Sequence, residues 1–220
     1  MLQKLKAIIF DFDGTILDTE YPDFLALSSI YDEYSLELPF ELFQKNIGTH
    51  EPMFDPYGTL CASREVGLTR DQFIEETNRR KGRILERALP MPGVMKLISE
   101  AKNAGVMVAI GSSSPLIWVG TLSRRIGIAD HFEHMVTRDD VSKTKPSPEI
   151  FNLTVEKLGV GKENCIVLED SLNGITAANA AGIRSLWIPN EMTKSMPVSP
   201  EHPRVESLES VTLEMLDQLL

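Results

Sequence analysis

The feature of the sequence that most limits its fold is a series of short apolar runs that each stop at small or acidic residues. The clearest runs cover residues 7–10, 106–110 and 165–168, a fourth covers 185–188, and a weaker candidate lies at 134–137. These runs do not alternate apolar with polar residues, and this is typical of strands that are buried on both faces of a sheet. The pattern therefore predicts several short, fully buried strands.

Helical patterns separate these runs. Residues 94–101 place apolar side chains at i, i+3, i+4 and i+7, residues 150–158 carry a second apolar stripe, and residues 173–181 are rich in alanine. A glycine follows each segment within a few residues, and this is a common helix stop. Strands that alternate with helices predict an α/β fold, a Rossmann-like parallel sheet with helices on both faces and right-handed crossovers.

Residues 18–89 interrupt this alternation. They contain helical patterns, for example at 24–28 and 73–89, but no convincing buried strand, and the turn sequence Pro90-Met91-Pro92-Gly93 closes them. The simplest interpretation is an α-helical block inserted after the first strand. We therefore expect a core formed by residues 1–17 and 90–220 and an inserted domain formed by residues 18–89. Residues 192–203 are rich in Pro, Ser and Thr and predict an exposed loop.

Charge and composition limit the location and partners of the chain. It has 220 residues, with 22 Lys and Arg against 32 Asp and Glu, for a formal net charge of −10. This balance disfavours binding to nucleic acids or anionic membranes, which require basic patches. The N-terminal apolar run is broken by Asp11 and Asp13, and no stretch approaches the ~20 apolar residues of a membrane span. Cys61 and Cys165 show no metal-binding spacing. We expect a cytoplasmic protein.

Polar residues that could take part in catalysis or ligand binding follow the predicted strands at their carboxyl ends, where open α/β sheets bind ligands. Asp11 and Asp13 come directly after the first strand. Carboxylates separated by one residue point the same way from an extended chain, and they repel each other unless a cation or a proton lies between them. The alternative is structural: Asp13-Gly14 forms a turn and Asp11 caps a helix.

Two serines follow the run at 106–110. Ser112 and Ser113 either cap a helix that begins near Pro115 or hold an oxyanion together with backbone N–H groups. Lys145 stands between Thr144 and Pro146, just before a predicted helix. By default such a lysine is a solvated surface residue, although its neighbours restrict its backbone. The sequence alone leaves these alternatives open.

Two acidic residues, Glu169 and Asp170, follow the run at 165–168. They either cap the next helix or offer carboxylate oxygens to Mg²⁺, which prefers one or two carboxylates together with water and phosphate oxygens.

In their order along the chain, these clusters resemble the motifs of the haloacid dehalogenase superfamily. Asp11-Phe12-Asp13-Gly14-Thr15 matches the first motif, Ser112 the second, Lys145 the third and Glu169-Asp170 the fourth. Residues 145–151 and 169–175 and the segment Asp18-Thr19-Glu20 resemble the β-phosphoglucomutase-like subgroup in particular. The resemblance implies a haloacid dehalogenase-like core, with residues 18–89 as the helical cap that selects the substrate.

The resemblance also implies roles for individual residues. Asp11 would attack phosphorus and form an aspartyl-phosphate, and Asp13 would act as general acid and base. Ser112 and Lys145 would complete the catalytic set. Mg²⁺ would be held by Asp11, the backbone carbonyl of Asp13, and Asp170, with Glu169 as a direct or outer ligand. The residues expected to contact substrate or phosphate are Gly14, Thr15, Glu20, His50, Ser112, Ser113 and Lys145.

The predicted cap departs from the sugar-phosphate mutases of this subgroup. Pro22 stands near the position of a mutase histidine, and Gly48-Thr49-His50-Glu51 replaces the GxSR sequence whose arginine grips a second phosphate. His50 either lines the site or is an exposed loop residue. We therefore expect a Mg²⁺-dependent phosphatase for small phosphomonoesters, with sugar or polyol phosphates as substrates. The alternatives are a phosphosugar mutase and, more remotely, a receiver-like signalling module. A monomer or small homo-oligomer is expected.

Overall fold

The protein is built around a parallel sheet of five strands in the order β3-β2-β1-β4-β5. A computed structural model describes residues 2–48, 53–62 and 68–220. The strands are β1 (Ala7–Phe10), β2 (Met107–Gly111), β3 (His134–Val136), β4 (Cys165–Glu169) and β5 (Arg184–Trp187), and every neighbouring pair is parallel. All five predicted strands are present, and the predicted α/β fold class is confirmed.

The described part of residues 18–89, which follow β1, contains helices and no strand. It contains α1 (Glu20–Glu33), α2 (Phe40–Gln44), α3 (Pro56–Ala62) and α4 (Arg70–Leu85). These helices enclose an apolar cluster of their own, which includes Leu27, Ile30, Tyr31, Phe43, Leu60 and Phe73. A capping box formed by Thr69 and Gln72 starts α4. The division into a core of residues 1–17 and 90–220 and a cap of residues 18–89 remains a prediction.

The helix predicted over residues 73–89 ends earlier, at Leu85. Leu89 is 78% exposed, so the apolar pattern does not continue into a buried face. Pro90 and Pro92 then carry the chain back to the sheet. The apolar residues at the end of this pattern therefore belong to the linker rather than to α4.

The remaining helices cover both faces of the sheet. They are α5 (Val94–Asn103), α6 (Leu116–Arg125), α7 (Glu149–Leu158), α8 (Leu172–Ala181) and α9 (Leu213–Leu219). Ile8 and Phe10 of β1 pack in the cluster that contains residues of α5, α6 and α9, whereas Ala7 and Ile9 pack in the cluster formed with α7 and α8. Successive strand residues point to opposite faces, so a sheet covered on both sides requires continuous apolar runs.

The expectation of an exposed loop at residues 192–203 is wrong for its first residues. This segment contains no helix or strand, but Met192 and Thr193 are buried, and Met192 packs against the apolar cluster of α1–α4. Thr193 Oγ1 accepts a hydrogen bond from the Asn190 backbone N–H at 3.0 Å. A composition rich in Pro, Ser and Thr predicts the irregular backbone but not its burial. Among the described residues, no helix combines the length and the apolar character that crossing a bilayer requires.

Candidate active site

The polar residues that follow three neighbouring strands meet at one edge of the sheet. Phe10 of β1 pairs with Ile110 of β2 and with Leu168 of β4, so Asp11, Ser112 and Asp170 emerge side by side at the carboxyl ends. Lys145 reaches the same edge from the loop that precedes α7. The topology therefore brings residues separated by more than a hundred positions into one site.

Lys145 is a buried ion-pairing residue, so the surface alternative is wrong. It is 1% exposed, and its Nζ donates hydrogen bonds to Oδ1 of Asp11 and, at 2.7 Å, to Oε1 of Glu169. The Nζ atom also lies 4.9 Å from the ring centroid of Phe151. Burial alone would lower the pKa of Lys145, but the negative charges of Asp11 and Glu169 outweigh it and raise the pKa above its ordinary value. Lys145 is therefore a fixed positive charge beside Asp11.

Three buried carboxylates surround this lysine. Asp11, Glu169 and Asp170 each offer an oxygen that lies within 4.8 Å of the others. Burial raises the pKa of Asp11 to about 8, with the charges of Glu169 and Asp13 adding to the effect and Lys145 opposing it. Burial raises the pKa of Asp170 well above its ordinary value, and Glu169 and Asp11 add to this. Three carboxylates against one lysine leave excess negative charge, and such an all-oxygen donor set fits a hard divalent cation.

Glu169 is held on both of its oxygens. Oε1 accepts the bond from Lys145, and Oε2 accepts bonds of 3.0 Å from both the backbone N–H and the Oγ of Ser171. Ser171 is also the N-cap of α8, because its Oγ accepts a hydrogen bond of 3.1 Å from the Gly174 N–H. Glu169 and Asp170 therefore do not cap this helix. A Cβ atom at Gly174 would lie 1.7 Å from Oε1 of Glu169, so only glycine leaves room for this carboxylate.

Asp170 is held by residues that come before it and after it in the sequence. Its Oδ2 accepts a hydrogen bond of 2.8 Å from Asn190 Nδ2, and Thr15 Oγ1 lies 3.5 Å from its Oδ1. Its backbone carbonyl accepts a bond of 2.7 Å from Trp187 Nε1. Trp187 lies in β5 and Asn190 in the loop after it. One oxygen of the Asp170 carboxylate remains within 4.8 Å of oxygens of Asp11 and Glu169.

Gly14 lies among the residues that surround Asp170 and does not line the cavity described below. Its φ is +84°, and a Cβ atom there would lie 2.3 Å from Oδ2 of Asp170. Its N–H donates to the Leu17 carbonyl at 2.8 Å. In this conformation the Gly14 N–H is therefore engaged within the chain and does not offer itself to a phosphate group. Gly14 and Thr15 both lie next to the Asp170 carboxylate, so both belong to the surroundings of the carboxylate cluster.

Asp13 accepts hydrogen bonds on both of its side-chain oxygens. Oδ1 accepts from Thr19 Oγ1 at 2.7 Å and from Trp118 Nε1 at 2.8 Å, and Oδ2 accepts from Ser114 Oγ at 2.7 Å and from Ser112 Oγ at 3.3 Å. Asp13 is not one of the three clustered carboxylates. Its side chain is therefore held apart from the buried cation site and at the floor of the cavity described next.

A cavity of about 370 Å³ opens above Asp11 and Asp13. The core contributes Ser113, Pro115, Trp118 and Arg138, and the helical segment contributes Glu20, Asp23, Phe43, Asn46, Asn78 and Lys81. Glu20 lines the cavity, and its contact with substrate stays a prediction. Its Oε2 is buried without a hydrogen-bond partner among the described residues, and burial raises its pKa well above the ordinary value. His50 lies outside the described residues.

Ser113 connects the core to the helical segment, because its Oγ donates to the Gly48 carbonyl at 3.2 Å. The N-cap of α6 is Pro115, which provides no side-chain cap, so neither Ser112 nor Ser113 caps this helix. Sequence reasoning missed the second set of residues around the site: Thr19, Ser114, Trp118, Gly174 and Asn190. Ser114 belongs to a visible serine run after β2, but nothing near Trp118 or Asn190 indicates a site.

The geometry combines a buried carboxylate cluster with a cavity above it, and comparison with known proteins identifies the family of the chain. Residues 5–182 match the family described as haloacid dehalogenase-like hydrolase. The chain is 35% identical to YhcW of Bacillus subtilis over 212 residues, which is 96% of each protein. The chain belongs to the haloacid dehalogenase-like hydrolases, in the β-phosphoglucomutase-like subgroup. It is an enzyme of a hydrolase family, and this excludes the receiver-like alternative.

Two further relatives extend the comparison. A protein of Thermotoga maritima named phosphorylated carbohydrates phosphatase is 30% identical over 184 residues, 83% of this chain and 84% of the relative. The crystal structure of CbbY from Rhodobacter sphaeroides in complex with phosphate is similar with a TM-score of 0.77 and 26% identity, over 97% of this chain and 99% of CbbY. The family therefore includes phosphatases of small phosphorylated compounds.

Proposed function

We propose that the protein is a Mg²⁺-dependent phosphatase that hydrolyses small phosphomonoesters, in particular sugar or polyol phosphates, through an aspartyl-phosphate on Asp11. One observation carries the proposal: Asp11 and Asp13 lie side by side on the floor of a single cavity, and Lys145 balances the charge of Asp11. A nucleophile and a separate acid are the two groups that phosphoryl transfer through a covalent intermediate requires.

In the first step, a carboxylate oxygen of Asp11 attacks phosphorus while the bond from phosphorus to the leaving oxygen breaks. Asp13 gives its proton to the leaving alkoxide, which departs as an alcohol. Lys145 offsets the negative charge on Asp11 and on the transferred group. We assign Ser112 and Ser113 as donors to the oxygens of that group, which requires their hydroxyls to turn from Asp13 and from the Gly48 carbonyl. The four hydrogen bonds to Asp13 keep its carboxyl directed at the cavity.

In the second step, the Asp13 carboxylate takes a proton from a water molecule. The water oxygen attacks phosphorus, the bond between phosphorus and Asp11 breaks, and inorganic phosphate is released. Asp13 thereby regains the proton that it lost, so the cycle closes without any further acid or base.

Mg²⁺ fits the donor set, and when bound it supplies charge neutralisation for the carboxylates and the phosphate oxygens. We assign Asp11, Asp170 and the backbone carbonyl of Asp13 as the direct ligands. Glu169 is assigned an outer position, because its two oxygens already accept hydrogen bonds from Lys145 and Ser171. Asn190 and Thr15 hold Asp170 in place.

The cavity supports a small, hydroxyl-bearing leaving group. A volume of about 370 Å³ lies at the lower end of the range for small-molecule sites. Asn78 lines it with a side-chain amide, which both donates and accepts hydrogen bonds. The amide of Asn46, also on the wall, is bonded to the backbone of Met53 and Phe54. The Thermotoga maritima relative is named for phosphorylated carbohydrates. We assign residues 18–89 as the cap that closes over this space and excludes water. A cytoplasmic location and a monomer or small homo-oligomer remain predictions.

The test is a panel of phosphomonoesters assayed for phosphate release with Mg²⁺ and with a chelator. The proposal expects release from sugar or polyol monophosphates that requires Mg²⁺ and stops with the chelator. A phosphosugar mutase is the second candidate, since a Bacillus subtilis β-phosphoglucomutase is 27% identical to the chain. Isomerisation of a sugar phosphate with a bisphosphate primer, at a rate above phosphate release, would favour the mutase and contradict the proposal.

A further inference from the structure

The positive charges of the cavity wall are already paired. Among the described residues, the wall contains two cations, Lys81 on α4 and Arg138. Lys81 Nζ lies 2.8 Å from Oδ1 of Asp23 on α1, and Arg138 Nε lies 3.6 Å from Oδ1 of Asp139. Neither cation therefore offers a full unpaired charge to a ligand.

The pair of Asp23 and Lys81 is part of the cavity rather than of the outer surface. Both residues line it, with side-chain exposures of 33% and 17%. Lys81 Nζ also lies 4.9 Å from the ring centroid of Trp118, whose indole lines the same cavity and donates to Asp13. Lys81 therefore contacts both Asp23 and the indole that donates to Asp13, the proposed acid.

Another pair joins the same two helices outside the cavity. Arg80 NH2 of α4 lies 2.8 Å from Oε1 of Glu33 of α1, and the Glu33 side chain is 56% exposed. Neither residue lines the cavity. The chain therefore contains a matched ion pair between α1 and α4 that faces solvent instead of substrate, and it serves as an internal control.

The charges of the wall are unfavourable for a leaving group with an additional anionic group. The wall contains four acidic residues, Asp11, Asp13, Glu20 and Asp23, and Asp23 is the one that is paired with Lys81. A carboxylate or second phosphate beside Lys81 would either meet the charge of Asp23 at short range or displace it, and both cost free energy in a partly buried site. A hydroxyl group can accept from Lys81 and donate to Asp23 without breaking the pair.

We propose that Asp23 is a specificity-determining residue, which neutralises Lys81 and so directs the site to neutral, hydroxyl-bearing leaving groups over leaving groups with a second anionic group. The inference rests on the proposed phosphatase function and adds a residue that sets its substrate preference. It also predicts that the preference is reversible, because removing the charge of Asp23 releases a cation that is already in position.

Glycerol 3-phosphate and 3-phosphoglycerate test this directly, because they differ in whether the end remote from the phosphate is a hydroxymethyl group or a carboxylate. The unsubstituted enzyme is expected to show the higher kcat/KM for glycerol 3-phosphate. Asp23→Asn should shift the ratio of the two kcat/KM values toward 3-phosphoglycerate by about 10-fold or more, the scale of about 1.4 kcal/mol of charge interaction. Phosphate release with Mg²⁺ present measures both values.

Three further variants make the outcome specific to the cavity pair. Glu33→Gln removes the matched acid outside the cavity and should leave the ratio unchanged. Lys81→Met should shift the ratio further toward glycerol 3-phosphate, because the charge of Asp23 then stands alone. Combining Asp23→Asn with Lys81→Met should cancel the gain seen with Asp23→Asn. Thermal unfolding of each variant establishes that it is folded.

The results separate the two proposals. If the unsubstituted enzyme releases no phosphate from any monoester, the phosphatase function and this inference both fail. If it releases phosphate but prefers 3-phosphoglycerate, or if folded Asp23→Asn leaves the ratio unchanged, only the inference fails. An equal shift in Glu33→Gln would also overturn it, because the effect would then be one of surface charge.

Discussion

The indole Nε1–H of Trp118 donates a hydrogen bond of 2.8 Å to Oδ1 of Asp13, although the two residues are 105 positions apart in the chain. Trp118 lies in the first turn of α6, which begins directly after the loop that follows β2. The first turn of α6 therefore lies next to the carboxyl end of β1. A residue that reads as part of an apolar helix face therefore sets the direction of the proposed general acid.

Replacing Trp118 with Phe tests this relationship. Trp118→Phe keeps a ring next to Lys81 but removes the N–H donor, so Asp13 loses one of its four hydrogen bonds. The Trp118 N–H fixes the direction of the Asp13 carboxyl, so we expect its loss to misorient the acid and to lower kcat about 10-fold or more while KM changes little. Steady-state kinetics and a pH profile measure the effect. Ile117→Ala on the same helix, at a side chain that is 74% exposed, is the control and should leave kcat unchanged. An unaltered kcat in Trp118→Phe would contradict the positioning role.

Replacing the nucleophile should separate activity from stability. Asp11→Asn removes the attacking carboxylate, so phosphate release should fall by at least about 10⁴-fold. The folded state should persist with an equal or higher Tm, because the substitution removes a buried carboxylate whose pKa is raised to about 8. Phosphate release and thermal unfolding without added metal measure the two effects.

Asp217→Asn is the opposite control for this prediction. Asp217 accepts hydrogen bonds from the backbone N–H groups of Gln3, Lys4 and Leu5, and these lower its pKa to about 2. Its loss should lower Tm and leave kcat unchanged, since it lies away from the cavity. Near-normal turnover by Asp11→Asn with Mg²⁺ present would show that the nucleophile is a different group.

The carboxylate cluster should make the folded state less stable as the pH rises, and bound metal should oppose this effect. The pKa of Asp11 is raised from 3.8 to about 8 in the folded protein, so the folded state holds a proton that the unfolded chain has lost. The stability that this proton provides is present below pH ~4 and is lost as the pH rises toward ~8. Asp170 shifts in the same direction. With a chelator, we therefore expect the contribution of the cluster to lower Tm between pH 5.5 and pH 8.

Mg²⁺ should reduce or reverse this fall, because it binds the deprotonated carboxylates and stabilises the folded state by mass action. Thermal unfolding across this pH range, with Mg²⁺ and with a chelator, measures both curves. Asp170→Asn should flatten the metal-free curve and remove most of the Mg²⁺ effect. Identical curves with and without Mg²⁺ would contradict the assignment of the cluster as the metal site.

The residues that the sequence identified share one property: each follows a strand whose apolar run is visible in the chain. Asp11, Ser112 and Asp170 are located by the ends of β1, β2 and β4, so their proximity follows once the sheet is parallel. Lys145 has no such strand before it, and the resemblance to a family was needed to select it. Its burial and its contact with Asp11 appear only in the structure.

The contacts that the sequence did not predict depend on which way a helix or loop turns. The meeting of Asp23 with Lys81 depends on how α1 packs against α4, and the contact of Asn190 with Asp170 depends on the path of the chain after β5. The spacing of residues along one sequence does not determine how two helices pack or which path a loop takes. The sequence also does not distinguish the roles of the adjacent residues Glu169 and Asp170. Only the hydrogen bonds of Glu169 to Lys145 and Ser171 do so.

The fit between Gly174 and Glu169 gives a prediction with a control in the same chain. Gly174→Ala would place Cβ 1.7 Å from Oε1 of Glu169, which is fully buried and accepts a hydrogen bond from Lys145. The carboxylate has to move, so we expect a loss of about 2 kcal/mol or more in the free energy of unfolding and a large fall in kcat. Urea unfolding and phosphate release measure these effects.

Gly82→Ala places the same methyl group in α4, where nothing lies within 4 Å of the new Cβ. Alanine favours the helix over glycine by about 0.5–1 kcal/mol, so this variant should be more stable and fully active. Opposite signs for the two Gly→Ala variants would locate the effect in the contact with Glu169. Equal stabilisation of both variants would mean that Glu169 can leave its position freely, and its assignment as a fixed partner of Lys145 would then be wrong.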